Sequence, residues 1–353
     1  MGRIINLNRR EIALKRLKFL FYEIVPIFLL IFIFQLLEWI LLSFIVDQSS
    51  ALSGVLFYFI RALVIFSAVV VVFSVYNRFK KEKSNISKEE LKLHIGFLRL
   101  YNITKKNYKF QLLYGILLFF LVIIPLEFLM IISFPHTVSY RATSLIFKKE
   151  NSFLLLSNFV LFLFSSCIIG FSNSFSEETI FRGLVTKRGS EHFYKLSAVM
   201  ISAIYFAFFE VFVKSTLLAV DFYIGVIWFI KSFLIGLVLS LTILRRKWLL
   251  PLIIAKTFDA IISNIIIWEF LQVGDITNLL NFIYGPLLII SLVLLIFQRS
   301  RIKESLQIGT KMIKSYFENN IKPKESSGDK VFRILFDIIL ALMLFLFGIL
   351  ISV

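Results

Sequence analysis

Nine runs of apolar residues, each near the ~20 residues a helix needs to cross a hydrocarbon core, decide what this chain can fold into. They lie roughly at 25–46, 53–76, 110–134, 153–174, 194–213, 216–244, 248–272, 278–297 and 332–352. A soluble fold has no interior large enough to hide them: 59% of the 353 residues are hydrophobic and 42 are Phe. In lipid, a backbone that cannot reach water satisfies its polar groups within helices. The expected fold is therefore an all-α polytopic transmembrane helix bundle of about nine spans.

The net charge of +17 fits the same picture, because the basic residues sit in the gaps between apolar runs. That distribution encodes membrane topology; it is not the folded basic surface that nucleic acid would require. The stretch 77–109, the triplet RRK at 245–247 and the stretch 299–333 are rich in Lys and Arg, whereas DQSSALS and VGDITN have none. An N-in, C-out arrangement puts all the basic stretches on the cytoplasmic side of a plasma membrane. The loop 135–152, with Arg141, Lys148 and Lys149, fits that rule least well. The basic start MGRIINLNRREIALKRLK precedes a run too long for a cleavable signal, and reads as leading into an uncleaved first span. KPKESSGDK marks 298–331 as a partly flexible linker, and Asp221 and Lys231 suggest that the sixth run is tilted or broken.

Cys167 is the only cysteine, and His94, His136 and His192 are scattered, so neither an intramolecular disulfide nor an HExxH-type zinc site is expected. The conspicuous polar stretch is SEETIFRG, at the end of the fourth apolar run. Glu178 and Arg182 are four apart and share a helix face, while Glu177 points about 100° away. One reading is a helix start, with Ser174 and Glu177 matching a capping box.

The form E-E-x-x-x-R at the end of a membrane span resembles the first motif of the CPBP family, the C-a-a-X prenyl protease and Abi-type bacteriocin-immunity membrane proteins. The second motif of that family, F-x-x-x-H, has its counterpart in FAFFE, Phe206 to Glu210, and the third falls within RRKWLLPLIIAKTFDAIIS. The resemblance covers roughly 150–270 and implies a protease core at 151–272. Membrane helices and a basic loop precede it at 1–150, and further membrane helices with a linker follow at 273–353. It also implies site residues by position: Glu177, Glu178 and Arg182 from the first motif, Glu210 at the second-motif histidine, and Lys256 at the third-motif histidine, with Asp259 beside Ala260. A register shifted by one would put Ala255 at that histidine position; neither register supplies a histidine.

The implied activity is endopeptidase cleavage of membrane-tethered peptides or proteins by water that Glu177 activates. Glutamate can act as the base and lysine can support an oxyanion. The missing histidines leave a second reading open, an inactive CPBP-like scaffold or immunity-type regulatory protein. A divalent metal enters by the resemblance alone; carboxylates without His or Cys would favour Mg, Ca or Mn, and no metal ligands are assigned. Membrane lipid and a membrane-anchored peptide or protein are the expected partners. A lone charge at the bilayer centre costs at least ~2.5–3.5 kcal/mol, so Lys256 is expected to pair with Glu210 or a first-motif carboxylate. Glu38, Arg61 and Glu127 are further charges within spans; Arg61 and Glu127 could pair between helices, or lie near an interface and snorkel. Ser166, Gly170 and Ser174, and likewise Gly236 and Ser240, read as close-packing faces; Trp39, Trp228, Trp248 and Trp268 read as anchors or packing.

Overall fold

The computed structural model describes residues 9–45, 50–83, 101–146, 148–214, 222–274, 280–318 and 326–350. Among them there is no strand, and eight helices are long and apolar enough to cross a membrane, or nine if one bent pair counts as a span. In chain order the spans are Arg9–Leu37, Ala51–Val72, Tyr108–Ser133, Phe159–His192, Lys195–Val213, Phe222–Arg246, Leu250–Val273, the bent pair Asn281–Phe297 with Arg299–Phe317, and Ser327–Ile349. The chain is thus an integral, multi-pass membrane protein with a helical bundle fold.

Several boundaries differ from expectation for physical reasons. The basic stretch RREIALKRLKF is helical and continuous with the first span, as its Arg, Lys, Leu and Ala favour. Arg16 is not solvated there: its Nε donates to Asp337 at 2.7 Å, and its guanidinium also reaches Ser197 at 3.0 Å. This ties the first span to the ninth and fifth. The fourth span opens at Phe159, where the Asn158 side chain accepts from the Val160 and Leu161 amides, and it runs on to His192 instead of stopping at 174. Residues 153–155 belong to a separate 3₁₀ turn, Lys149–Leu155. The described part of the sixth run is one unbroken helix, while Asp221 and the side chains of Glu38 and Trp39 lie outside the described residues. The stretch assigned to a linker contains a helix, Arg299–Phe317, turned 83° from the helix before it.

Among the described residues five wide π-helical segments interrupt the helices, and three have an evident cause. Leu20–Ile24, Phe119–Ile123 and Leu280–Tyr284 each end two residues before a proline, Pro26, Pro125 and Pro286. A proline ring removes a donor and crowds the carbonyl one turn back, so the ladder there must widen. The other two segments, Thr179–Arg188 and Glu210–Lys214, have no proline to explain them. They follow Glu178 and begin at Glu210, and single wide turns in membrane and soluble helices gather at functional positions.

The small residues pack as expected. A Cβ on Gly170 would meet Ile261 at 3.3 Å and Ala260 at 3.4 Å, and one turn away Ser166 accepts from Asn264 at 3.0 Å, joining the fourth and seventh spans. A Cβ on Gly236 would meet Phe206 at 3.1 Å and the Ala203 backbone at 3.2 Å, and Ser240 bonds Ser202, joining the sixth and fifth. The four central spans are thereby held close around their polar residues.

Candidate active site

The extension of the fourth span to His192 relocates SEETIFRG from a helix end to a helix interior. The capping-box reading fails for that reason: Glu177 and Glu178 close an α-helical stretch that passes directly into the π segment, and no free amides await a cap. Their charges have different surroundings. Glu178 and Arg182 are fully buried, with Arg182 Nη1 donating to Glu178 Oε1 at 2.9 Å. The guanidinium lies 4.2 Å over the Phe206 ring and 5.5 Å from Phe181. An arginine buried in apolar surroundings is tolerable because one carboxylate and aromatic faces replace its water.

Glu177 instead lines a cavity of about 180 Å³ between the central spans. Glu210, Lys256 and Asp259 line the same cavity, each contributed by a different motif or turn. Lys256 Nζ stands 2.7 Å from Asp259 Oδ2 and 3.8 Å from Glu210 Oε1, so the expected pairing with Glu210 is present and Asp259 is the closer partner. Of the two candidates for the third-motif position, Ala255 is packed in the apolar core and Lys256 faces the cavity. Of the six residues singled out, the cavity collects Glu177, Glu210, Lys256 and Asp259; Glu178 and Arg182 stand outside its lining.

The sequence reading missed another wall of this cavity. Glu127 pairs with Lys231, Nζ to Oε1 at 2.7 Å, and stands 4.0 Å from Arg141; the expected Arg61–Glu127 partnership gives way to these, although Arg61 also lines the cavity. Trp228 floors this wall, 5.6 Å below Arg141 and 5.5 Å below Lys231. The signal was available in part: Glu127 and Lys231 are lone opposite charges within apolar runs, which membrane burial forces to pair. Arg141 sits on the short helix His136–Ile146, where burial lowers its pKa but Glu127, Asp259, Tyr284 and Glu210 together outweigh it and raise it.

The donor set does not suit the divalent metal that the resemblance brings in. No three His, Cys, Asp or Glu side chains among the described residues converge on one point. The Lys256 ammonium lies between Asp259 and Glu210, where a cation would have to sit. No step of the chemistry below is routed through a metal.

No curated protein and no solved structure matches the chain. Residues 156–262, however, match the family described as type II CAAX prenyl endopeptidase Rce1-like. The matched segment contains the whole of SEETIFRG, Glu210, Lys231 and the Lys256–Asp259 pair, and leaves out Glu127 and Arg141. The likeness of this multi-pass membrane protein to the Rce1-like family thus covers residues 156–262.

Proposed function

We propose that the chain is a membrane endopeptidase that cleaves membrane-tethered peptides or proteins by direct attack of water. The carrying observation is that Glu177 faces a polar cavity shared with a buried ammonium, whereas its neighbour Glu178 is sealed against Arg182. In this reading Glu177 takes a proton from water as its oxygen attacks the peptide carbonyl carbon. The carbonyl oxygen becomes an oxyanion, and Lys256 lies on the same cavity to receive it. An ammonium has three N–H donors; Asp259 accepts one at 2.7 Å and Glu210 stands at ion-pair distance, 3.8 Å, which leaves a donor for the oxyanion. When the tetrahedral intermediate collapses, Glu177 returns its proton to the leaving amine. One carboxylate thereby serves as base and then as acid. The natural substrate class is a peptide tethered at the plasma membrane, including C-a-a-X-like tails, presented to a cavity inside the bundle.

A second reading, a non-catalytic scaffold, is favoured by one observation. Lys256 is held by Asp259 and Glu210, so that ion-paired groups occupy positions 210 and 256, where by resemblance the family motifs carry histidine. Glu177→Gln separates the two. The amide keeps the side chain's size and polarity but cannot take the proton, so cleavage of a membrane-tethered reporter should fall ~10²–10⁴-fold with the melting temperature unchanged. Wild-type protein that cleaves no reporter, with a cellular activity indifferent to Glu177→Gln, would establish the scaffold.

A further inference from the structure

The wall of the cavity formed by Glu127, Arg141, Lys231 and Trp228 has no part in the chemistry just described, and its hydrogen-bond accounting does not close. Glu127 already holds Lys231 at 2.7 Å. Arg141 reaches the same carboxylate only at 4.0 Å, beyond hydrogen-bond distance. Among the described residues its guanidinium donates no hydrogen bond; its contacts are that distant carboxylate and the Trp228 ring. Yet a guanidinium carries five N–H donors in a planar fork. The next acids, Asp259 and Glu210, are held by Lys256. Beneath the fork, Trp228 Nε1 is a buried donor with no acceptor among the described residues. Arg141, its side chain 27% exposed, turns its fork to the cavity, whereas the buried Trp228 donor without an acceptor is costly enough to call for a reason.

Shape decides what would satisfy this wall. Arg141 and Lys231 outnumber Glu127, but Asp259 and Glu210 outnumber Lys256 beside them, so charge balances across the cavity and what the wall offers a ligand is the open Arg141 fork. A planar guanidinium over an indole floor matches a planar carboxylate, which it can grip through two parallel N–H···O bonds. We propose that Arg141 and Lys231 form an anion subsite of the cavity that takes a carboxylate of the bound peptide, either its C-terminal carboxylate or an acidic side chain near the cleaved bond. The proposal rests on the peptidase reading for the ligand being a peptide. Arg141 is a specificity-determining residue here, and it lies outside the segment that matches the protease family.

The test measures binding separately from turnover. Full-length Glu177→Gln protein in nanodiscs is titrated with dodecanoyl-Ala-Ala-Leu as the free acid, with its carboxamide, and with dodecanoyl-Ala-Glu-Leu carboxamide. A hydrogen-bonded charge pair in a desolvated site is worth roughly tenfold or more, so the free acid should bind at least that much tighter than the carboxamide. The Glu-containing carboxamide recovers the preference only if a side-chain carboxylate is the group read. Arg141→Gln should erase the difference between acid and carboxamide, and Arg141→Lys should keep part of it, with melting curves showing both variants folded. Equal binding of acid and carboxamide, no binding of either, or a preference that survives Arg141→Gln would overturn the subsite. Cleavage by the wild-type protein is followed in parallel. Discrimination without cleavage removes the peptidase reading and keeps the subsite, whereas cleavage of acid and carboxamide alike does the reverse.

Discussion

Removing the ammonium that stands between two carboxylates on the cavity wall should destabilise the protein. Lys256 lies 2.7 Å from Asp259 and 3.8 Å from Glu210, and all three side chains are about nine-tenths buried. At an effective dielectric of ~20, those separations correspond to about 6 and about 4 kcal/mol of gross attraction, most of it spent on desolvation. Lys256→Met keeps the length of the side chain but leaves two carboxylates facing each other without a cation. Breaking a buried pair from one side costs about 3–5 kcal/mol. Denaturant titration of purified protein should show a loss of that size. The double variant Lys256→Met/Asp259→Leu should regain most of it, since the nearer stranded charge has gone, while Glu210 holds back the remainder. If Lys256→Met unfolds within about 0.5 kcal/mol of wild type, a change ordinary for surface substitutions, the ammonium is solvated and the cavity argument fails.

Glu178→Gln should lower stability without touching the cavity, because Arg182 is fully buried and Glu178 is its ion-pair partner; loss of a buried partner predicts about 3–5 kcal/mol, read from the same titration. Gly236→Leu should disrupt the contact between the fifth and sixth spans, since even a Cβ would stand 3.1 Å from Phe206 and 3.2 Å from Ala203; reduced yield of folded protein on size-exclusion chromatography is the expected result. On topology, introduced cysteines in 77–109 and 298–331 should resist an impermeant thiol reagent applied to intact cells, because Lys and Arg concentrate in both. Labelling of either would reverse the N-in orientation.

The bundle was legible because nothing but membrane helices suits so many apolar runs, and the small-residue faces at Gly170 and Gly236 were legible because close packing needs them. The pairing of Lys256 with Glu210 followed from the cost of a lone charge. What failed had local causes. SEETIFRG looked like a helix start because capping boxes and buried ion pairs use the same residues; only the continuation of the helix to His192 tells them apart. Arg61 and Glu127 looked like partners because both lie in early spans, but Lys231, a hundred residues further on, reaches Glu127 first. Arg141 was the poorest fit to the positive-inside pattern. Its guanidinium is turned into the bundle against Glu127 and Trp228, so its charge does not act as that of a solvated loop arginine does.

If the resemblance is carried to positions 210 and 256, the two departures from histidine meet at one ammonium. Neutral imidazoles at both positions would carry no net charge into the bundle, whereas an ammonium at 256 without a carboxylate would cost several kcal/mol in a membrane interior. Asp259, one helical turn from Lys256, is its hydrogen-bonded partner at 2.7 Å, and Glu210 adds a second carboxylate at 3.8 Å. The exchange also alters what the cavity can do. Imidazole accepts or donates a proton near neutral pH; an ammonium wedged between carboxylates is a fixed positive charge. Under the peptidase reading, proton transfer falls to Glu177 on the wall of the same cavity, while Lys256, held by Asp259 at 2.7 Å, supplies electrostatic support without itself exchanging a proton.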